Sequence, residues 1–178
     1  MAEIAQRFKD QDLDVSGLQA EVYCYWKQEI WHEVLTLLAG MLPEDKVAQI
    51  LQWLLERRDR DQTWLAVFLA ARCVGDVRKR RELGMVESDV LVRLKQLATY
   101  DLSYYYEPWD DESQIVSEIR ERAVHLVASV WCHVATYEWL KDRAQNDDHY
   151  AVRQSEVHEL ARGWRDDVGV QDFLRNLP

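Results

Sequence analysis

Five histidines, three cysteines and one aromatic run are the residues with which this chain could do chemistry. His32 opens His-Glu-Val-Leu-Thr, which begins like the zinc-peptidase pattern His-Glu-x-x-His. There, two imidazoles one helical turn apart bind the metal and the glutamate activates water. Thr36 stands where the second ligand belongs, so the pattern is incomplete. Glu29 and His32 have the Glu-x-x-His spacing of a di-iron helix, but that centre takes a second such pair and two more glutamates. No other histidine here has a glutamate three residues before it. Cys132, His133 and His149 fit no zinc spacing. His125 and His158 stand 33 residues apart, in two copies of one pattern described below; they suit either a shared metal site or, the simpler reading, a polar interhelix contact. No catalytic, cofactor-binding or metal-binding residue is assigned, and no cofactor is expected.

The most unusual segment is Ser-Tyr-Tyr-Tyr-Glu-Pro-Trp-Asp-Asp, which ends at Asp111. Tyr and Trp give large contact area at low entropic cost, and loops often carry binding. Pro108 restricts itself and Glu107 to extended conformations, so the loop is stiffer than its length suggests. Tyr104, Tyr105, Tyr106, Trp109, Asp110 and Asp111 are therefore the candidate partner-binding residues. The alternative is a loop tucked onto helix ends, with Trp109 as a plug. The basic residues Arg57, Arg58, Arg60 and Arg78–Arg81 could form a nucleic-acid patch, but cations at helix C-termini also offset the macrodipole, which fits both clusters.

The net charge of −10 disfavours phosphate backbones and anionic membranes as main partners. The longest stretch without Asp, Glu, Lys or Arg is Ala123–Tyr137, 15 residues, too short to span a bilayer. The first residues lack the apolar core of a secretory signal. The cysteines Cys24, Cys73 and Cys132 are scattered and odd in number, which argues against a disulfide framework and for a reducing, cytoplasmic setting. A chain of 178 residues suits one domain, burying roughly 70 % of its unfolded surface without staples.

Only three prolines and six glycines punctuate the chain, and strand-like alternation is nearly absent, so helices must position all of these residues. Ser16–Lys27 reads as one helix and Glu29–Leu42 as a second, striped by Trp31, Val34, Leu35, Leu38 and Leu42. Pro43 separates it from a third carrying Val47, Ile50, Leu51, Leu54 and Leu55, the spacing of a buried face. Trp64–Val77 follows, with Ala66, Leu69, Ala70, Cys73 and Val77 in register. Val86–Ala98 presents Val90, Leu94 and Leu97. The aromatic segment breaks the pattern, and Asp111 with Gln114 resembles a capping box that restarts it.

One helix is then written twice. Ile119–Trp131 and Val152–Trp164, offset by 33, share Arg, Val, His, Ala and Trp at five of thirteen positions. Thr136–Arg143 follows the first copy and Val170–Leu177 the second at an offset of 34, so the repeat is a helix pair with a one-residue slip in its loop. Pairs at this period mark an α-solenoid, because one pair cannot bury its own apolar face. The expected fold is all-α: a single domain over 1–178, an α-solenoid of stacked antiparallel hairpins, clearest at 113–145 and 146–178.

The stretch Asn146–Trp164 resembles a HEAT-type repeat. That resemblance implies stacking roles between units for Asp148, Arg120 and Arg153. Trp-His-Glu-Val-Leu-Thr-Leu-Leu-Ala-Gly-Met-Leu, Phe-Leu-Ala-Ala-Arg-Cys-Val-Gly-Asp-Val and the segment from Trp139 to Trp164 together resemble the C-terminal HEAT-like repeats of bacterial, especially cyanobacterial, NACHT-domain STAND NTPases. The resemblance implies a non-catalytic protein-interaction or sensor module, with a protein partner or an intramolecular NTPase domain, in bacterial signalling or defence. The NACHT motor's Gly-x-x-x-x-Gly-Lys-Ser/Thr phosphate loop is missing, since the sequence contains no Gly-Lys pair. HEAT-like DNA glycosylases and bilin lyases use similar repeats. The former make nucleic-acid base excision the alternative, with Trp109 and Asp110 as its site; the latter would bind a bilin.

Overall fold

A computed structural model describes residues 14–57 and 63–176. Arg58, Arg60 and Leu177 lie outside the described residues. Among those described, the chain is all-α, with nine α-helices, three short 3₁₀ turns and no strand. No helix among the described residues is long and apolar enough to cross a membrane. The chain divides into two compact units, Met1–Arg93 and Leu94–Pro178.

In the first unit, α1 (Val15–Glu21), α2 (His32–Ala39) and α3 (Glu44–Leu55) precede α4 (Leu65–Asp76). The centre is α4, which packs against both α2 and α3. It earns that place with eight buried residues, several of them alanines, which let neighbouring backbones approach. Gly40, just after α2, shows how close: a Cβ there would lie 3.1 Å from the Asp76 carbonyl oxygen. Val47, Ile50, Leu51 and Leu54 form the buried face of α3.

The first expected helix is shorter than read. It stops at Glu21, and Tyr23–Lys27 tightens into a 3₁₀ turn. The turn brings Tyr23 and Trp26, three apart, to the inside together. The Tyr23 hydroxyl donates to the Leu35 carbonyl at 2.9 Å. The second helix likewise starts later, at His32, after a 3₁₀ turn over Glu29–Trp31. Trp31, expected on the buried stripe, is 39 % exposed and stacks on Tyr25 at 5.0 Å instead.

The division between units falls within α5 (Met85–Leu97). The second unit continues with α6 (Asp111–Val130), α7 (Val134–Asn146), α8 (Tyr150–Gly163) and α9 (Val168–Arg175). Here α8 is central: it packs against α6 and α7, and α9 packs on it.

The doubled helix is visible in the caps. Trp131 is the C-cap of α6 and Trp164 that of α8. His133 and Asp167 are the next N-caps, each accepting the N–H three residues on, from Thr136 and Val170. The offset is 33 at the C-caps and 34 at the N-caps, so the slip sits in the loop. Burial is unequal between copies. Val124, Ala128 and Trp131 are buried, whereas Val157 and Trp164 are half-buried and Ala161 is exposed. The capping box at Asp111 does not form. Asp110 is the N-cap of α6, and its carboxylate turns back to the Glu107 N–H at 2.9 Å.

Candidate functional site

Between α5 and α6 the chain has no helical ladder, so its backbone groups need other partners. Two arginines provide them. Arg120, buried on α6, donates through Nε to the Tyr100 carbonyl at 2.5 Å. Arg143 on α7 donates to the Ala98 carbonyl at 2.8 Å. Asp101 then ties the segment to itself: one carboxylate oxygen accepts the Leu102 N–H at 2.8 Å and the Tyr106 hydroxyl at 2.6 Å, and the other lies 3.7 Å from Arg120. The Tyr106 hydrogen bond, with help from Arg120, holds the Asp101 carboxyl below its ordinary value. Burial and the same carboxylate push the Tyr106 phenol up to about 12.

The tip of the segment is a closed turn. The Asp110 N–H donates to the Glu107 carbonyl at 3.0 Å, which places Pro108 and Trp109 at the two central positions. The Asp110 carboxylate closes the same turn a second time through Glu107. Trp109 projects from it 80 % exposed, so it does not plug the helices. Tyr104 and Tyr105 are exposed too, and Asp111, the first residue of α6, is exposed.

Tyr104, Tyr105, Tyr106 and Pro108 line an open cleft of about 320 Å³, together with Asp101, Leu102, Ser113 and His149. The three candidate tyrosines are thus brought to one place. Trp109, Asp110 and Asp111 are not in the lining.

Behind Arg120 lies an ionic cluster that the spacing did not reveal. Arg143 bonds Glu156 Oε1 through Nε at 2.6 Å and also pairs with Asp147. Arg120 reaches Asp147 at 4.0 Å, and Arg153 donates to the Asp147 carbonyl at 2.5 Å. The hub is therefore Asp147, whose side chain is 6 % exposed, and not Asp148, which faces solvent. Arg120 and Arg153 both contact Asp147, the latter within its own repeat, and Arg143 and Glu156 were missed. A repeat-equivalent Arg points to a polar contact; nothing in the local sequence names its buried acid. Glu156 is fully buried, and its Oε2 has no hydrogen-bond partner among the described residues. Burial pushes its carboxyl up to about 7 against the opposing pull of Arg143.

The remaining candidates are accounted for locally. His125 Nδ1 lies 2.9 Å from Glu159 Oε1, an interhelix contact between α6 and α8, and His158 approaches the same oxygen only to 3.9 Å. Burial pushes the Glu159 carboxyl up, but His125, Arg162 and His158 together pull it below its ordinary value. No group of three or more His, Cys, Asp or Glu among the described residues could hold a metal ion. His32, which opens the His-Glu-Val-Leu-Thr stretch, is buried with Nε2 2.7 Å from the Trp26 carbonyl. Arg80 donates to the Gly75 carbonyl in the last turn of α4, and Arg57 to the Trp53 carbonyl near the end of α3. Both contacts satisfy helix C-termini.

No protein-family model, curated protein or solved structure compared with the chain matches it.

Proposed function

We propose that this chain is a non-catalytic, HEAT-like helical-repeat module that binds a protein partner through the aromatic turn preceding α6. The observation that carries the reading is the pairing of exposure with rigidity. Trp109 and Tyr105 are 80 % and 81 % exposed, yet their turn is closed twice at Glu107–Asp110 and anchored by Asp101, Tyr106 and Arg120. Large rings held in place lose little entropy on binding, and such residues dominate interface energies. The equivalent caps of α6–α7 and α8–α9 support a stack of hairpins. The place of such a module beside a NACHT-type motor rests on the sequence resemblance alone.

A photo-crosslinking residue at position 109 would recover the partner, whose affinity for the purified chain is then measured directly. Tyr105→Ser combined with Trp109→Ser should weaken binding by about 30-fold or more, the loss of an interface hot spot of about 2 kcal/mol, at an unchanged unfolding midpoint. A partner that binds the double variant as tightly as the parent overturns the assignment.

A further inference from the structure

We infer that the tyrosine cleft beside this turn is a receptor for an arginine side chain of a basic protein segment. The inference rests on the partner-binding reading above and names the chemistry of the partner. Three features converge. First, the cleft is lined by Tyr104, Tyr105 and Tyr106 together with Asp101, whose side chain is 55 % exposed. Aromatic faces attract cations through their quadrupole, and a carboxylate at the same place adds a hydrogen-bonded charge. Second, the surrounding segment is one-signed. From Gln96 to Glu118 there is no Lys or Arg, but there are six acids: Asp101, Glu107, Asp110, Asp111, Glu112 and Glu118. Third, the cation behind the cleft is turned inward. The Arg120 side chain is 9 % exposed and engaged with Tyr100, Asp101 and Asp147. Of the two Asp101 oxygens, one carries both short hydrogen bonds, and the other has Arg120 only at 3.7 Å. That second oxygen can take a guanidinium N–H. His149, also in the lining, is the one cleft residue that opposes a cation when protonated.

Arginine fits better than lysine. A planar guanidinium stacks on tyrosine and donates to a carboxylate in the same plane, and it gives up its water more readily than an ammonium. Each such contact is weak at an open site, so several arginines in one segment, engaging the acids around the turn, are needed for useful affinity.

The test uses the full chain and three synthetic peptides of alternating glycine with three arginines, three lysines or three citrullines. Citrulline keeps the shape of arginine without its charge. Binding is followed by NMR shifts of the tyrosine rings. The arginine peptide should bind with shifts at Tyr104–Tyr106, about tenfold or more tighter than the citrulline peptide, and more weakly in high salt. The lysine peptide should fall between them. Asp101→Asn should weaken the arginine peptide about fivefold or more. Because Asp101 also anchors the loop, Tyr104→Leu serves as the second variant: among the described residues no hydrogen bond ties Tyr104 to the anchor, and leucine keeps bulk while removing the aromatic face. Equal binding of arginine and citrulline peptides, shifts that map elsewhere, or no binding at millimolar peptide each overturn the inference. If those results come with a natural partner that still depends on Trp109, only the arginine cleft fails. If the partner ignores the Tyr105/Trp109 double variant, the loop reading itself fails, whatever the peptides do.

Discussion

Replacing Glu156 by Gln should remove a pH dependence that runs opposite to that of most surface carboxylates. Glu156 is fully buried, bonded by Arg143 through one oxygen and without a partner at the other. The charges facing it are Arg143, Asp147 and Arg153. Burial raises its carboxyl from 4.5 to about 7 in the folded chain. Between those values the folded state holds a proton that the unfolded state has released. Stability contributed by this group is therefore complete below about pH 4.5 and is lost as pH rises through about 7. Integrating the two titrations gives a loss of about 2 kcal/mol between pH 5.5 and pH 8, out of about 3 kcal/mol over the whole window. The assay is urea unfolding followed by circular dichroism, on the parent and on Glu156→Gln, across that range. Groups shared by both proteins, the His125–Glu159 pair included, cancel in the difference to the extent that they act independently. The parent should lose about 2 kcal/mol relative to the variant as pH rises. A flat difference would mean that Glu156 titrates as it does in water. A difference of opposite slope would mean that Arg143 outweighs desolvation and holds the carboxylate ionised throughout. Either result refutes the reasoning.

Trp131→Ala should cost about 3–5 kcal/mol, because the ring is buried, and Trp164→Ala roughly half as much, because its equivalent is half-exposed and leans on Tyr137 at 5.8 Å; equal urea midpoints would contradict the unequal burial of the two copies. Gly84→Ala should cost about 1–3 kcal/mol although nothing lies within 4 Å of the added methyl, since the whole penalty is backbone strain at φ +63°; an unchanged melting temperature would show that the loop relaxes. The purified chain should not hydrolyse ATP or GTP, for want of a phosphate loop; turnover that survives re-purification and is abolished by one point mutation in this chain would refute that.

The helices were legible where burial follows a 3.6-residue period. The expected stripes of α3 and α4 are buried, apart from Leu55, which is half-buried, although α4 also buries Val67, Phe68, Ala71 and Val74 outside its stripe. Legibility failed where polar detail decides. The run Tyr23–Trp26 is compatible with a helix by composition, but packing of two aromatics three apart, with the Tyr23 hydroxyl drawn to Leu35, favours a tighter turn. Asp147 and Asp148 are indistinguishable in a sequence; only the end of α7 turns the first inward and the second to solvent. The aromatic loop was legible as an interruption, and its cleft was not. The cleft depends on Asp101 bending back to Tyr106, a contact between residues that no periodicity relates.

A buried ionic cluster is a poor device for stability alone, since apolar residues of similar size often do as well or better. Its hydrogen bonds indicate another use. Arg120, Arg143 and Arg153 each donate to a main-chain carbonyl outside a helix: those of Tyr100, Ala98 and Asp147. The first two lie just beyond the end of α5, where helix carbonyls lose their own partners. The three guanidiniums meet Asp101, Asp147 and Glu156, and through these contacts the loop's anchor is joined to α6, α7 and α8. An apolar core could fill the same volume, but it could not donate to those carbonyls. The cluster thus converts helix packing into a fixed course for the residues that lead into the aromatic turn. The backbone that leads to Tyr105 and Trp109 is anchored by arginines buried behind it.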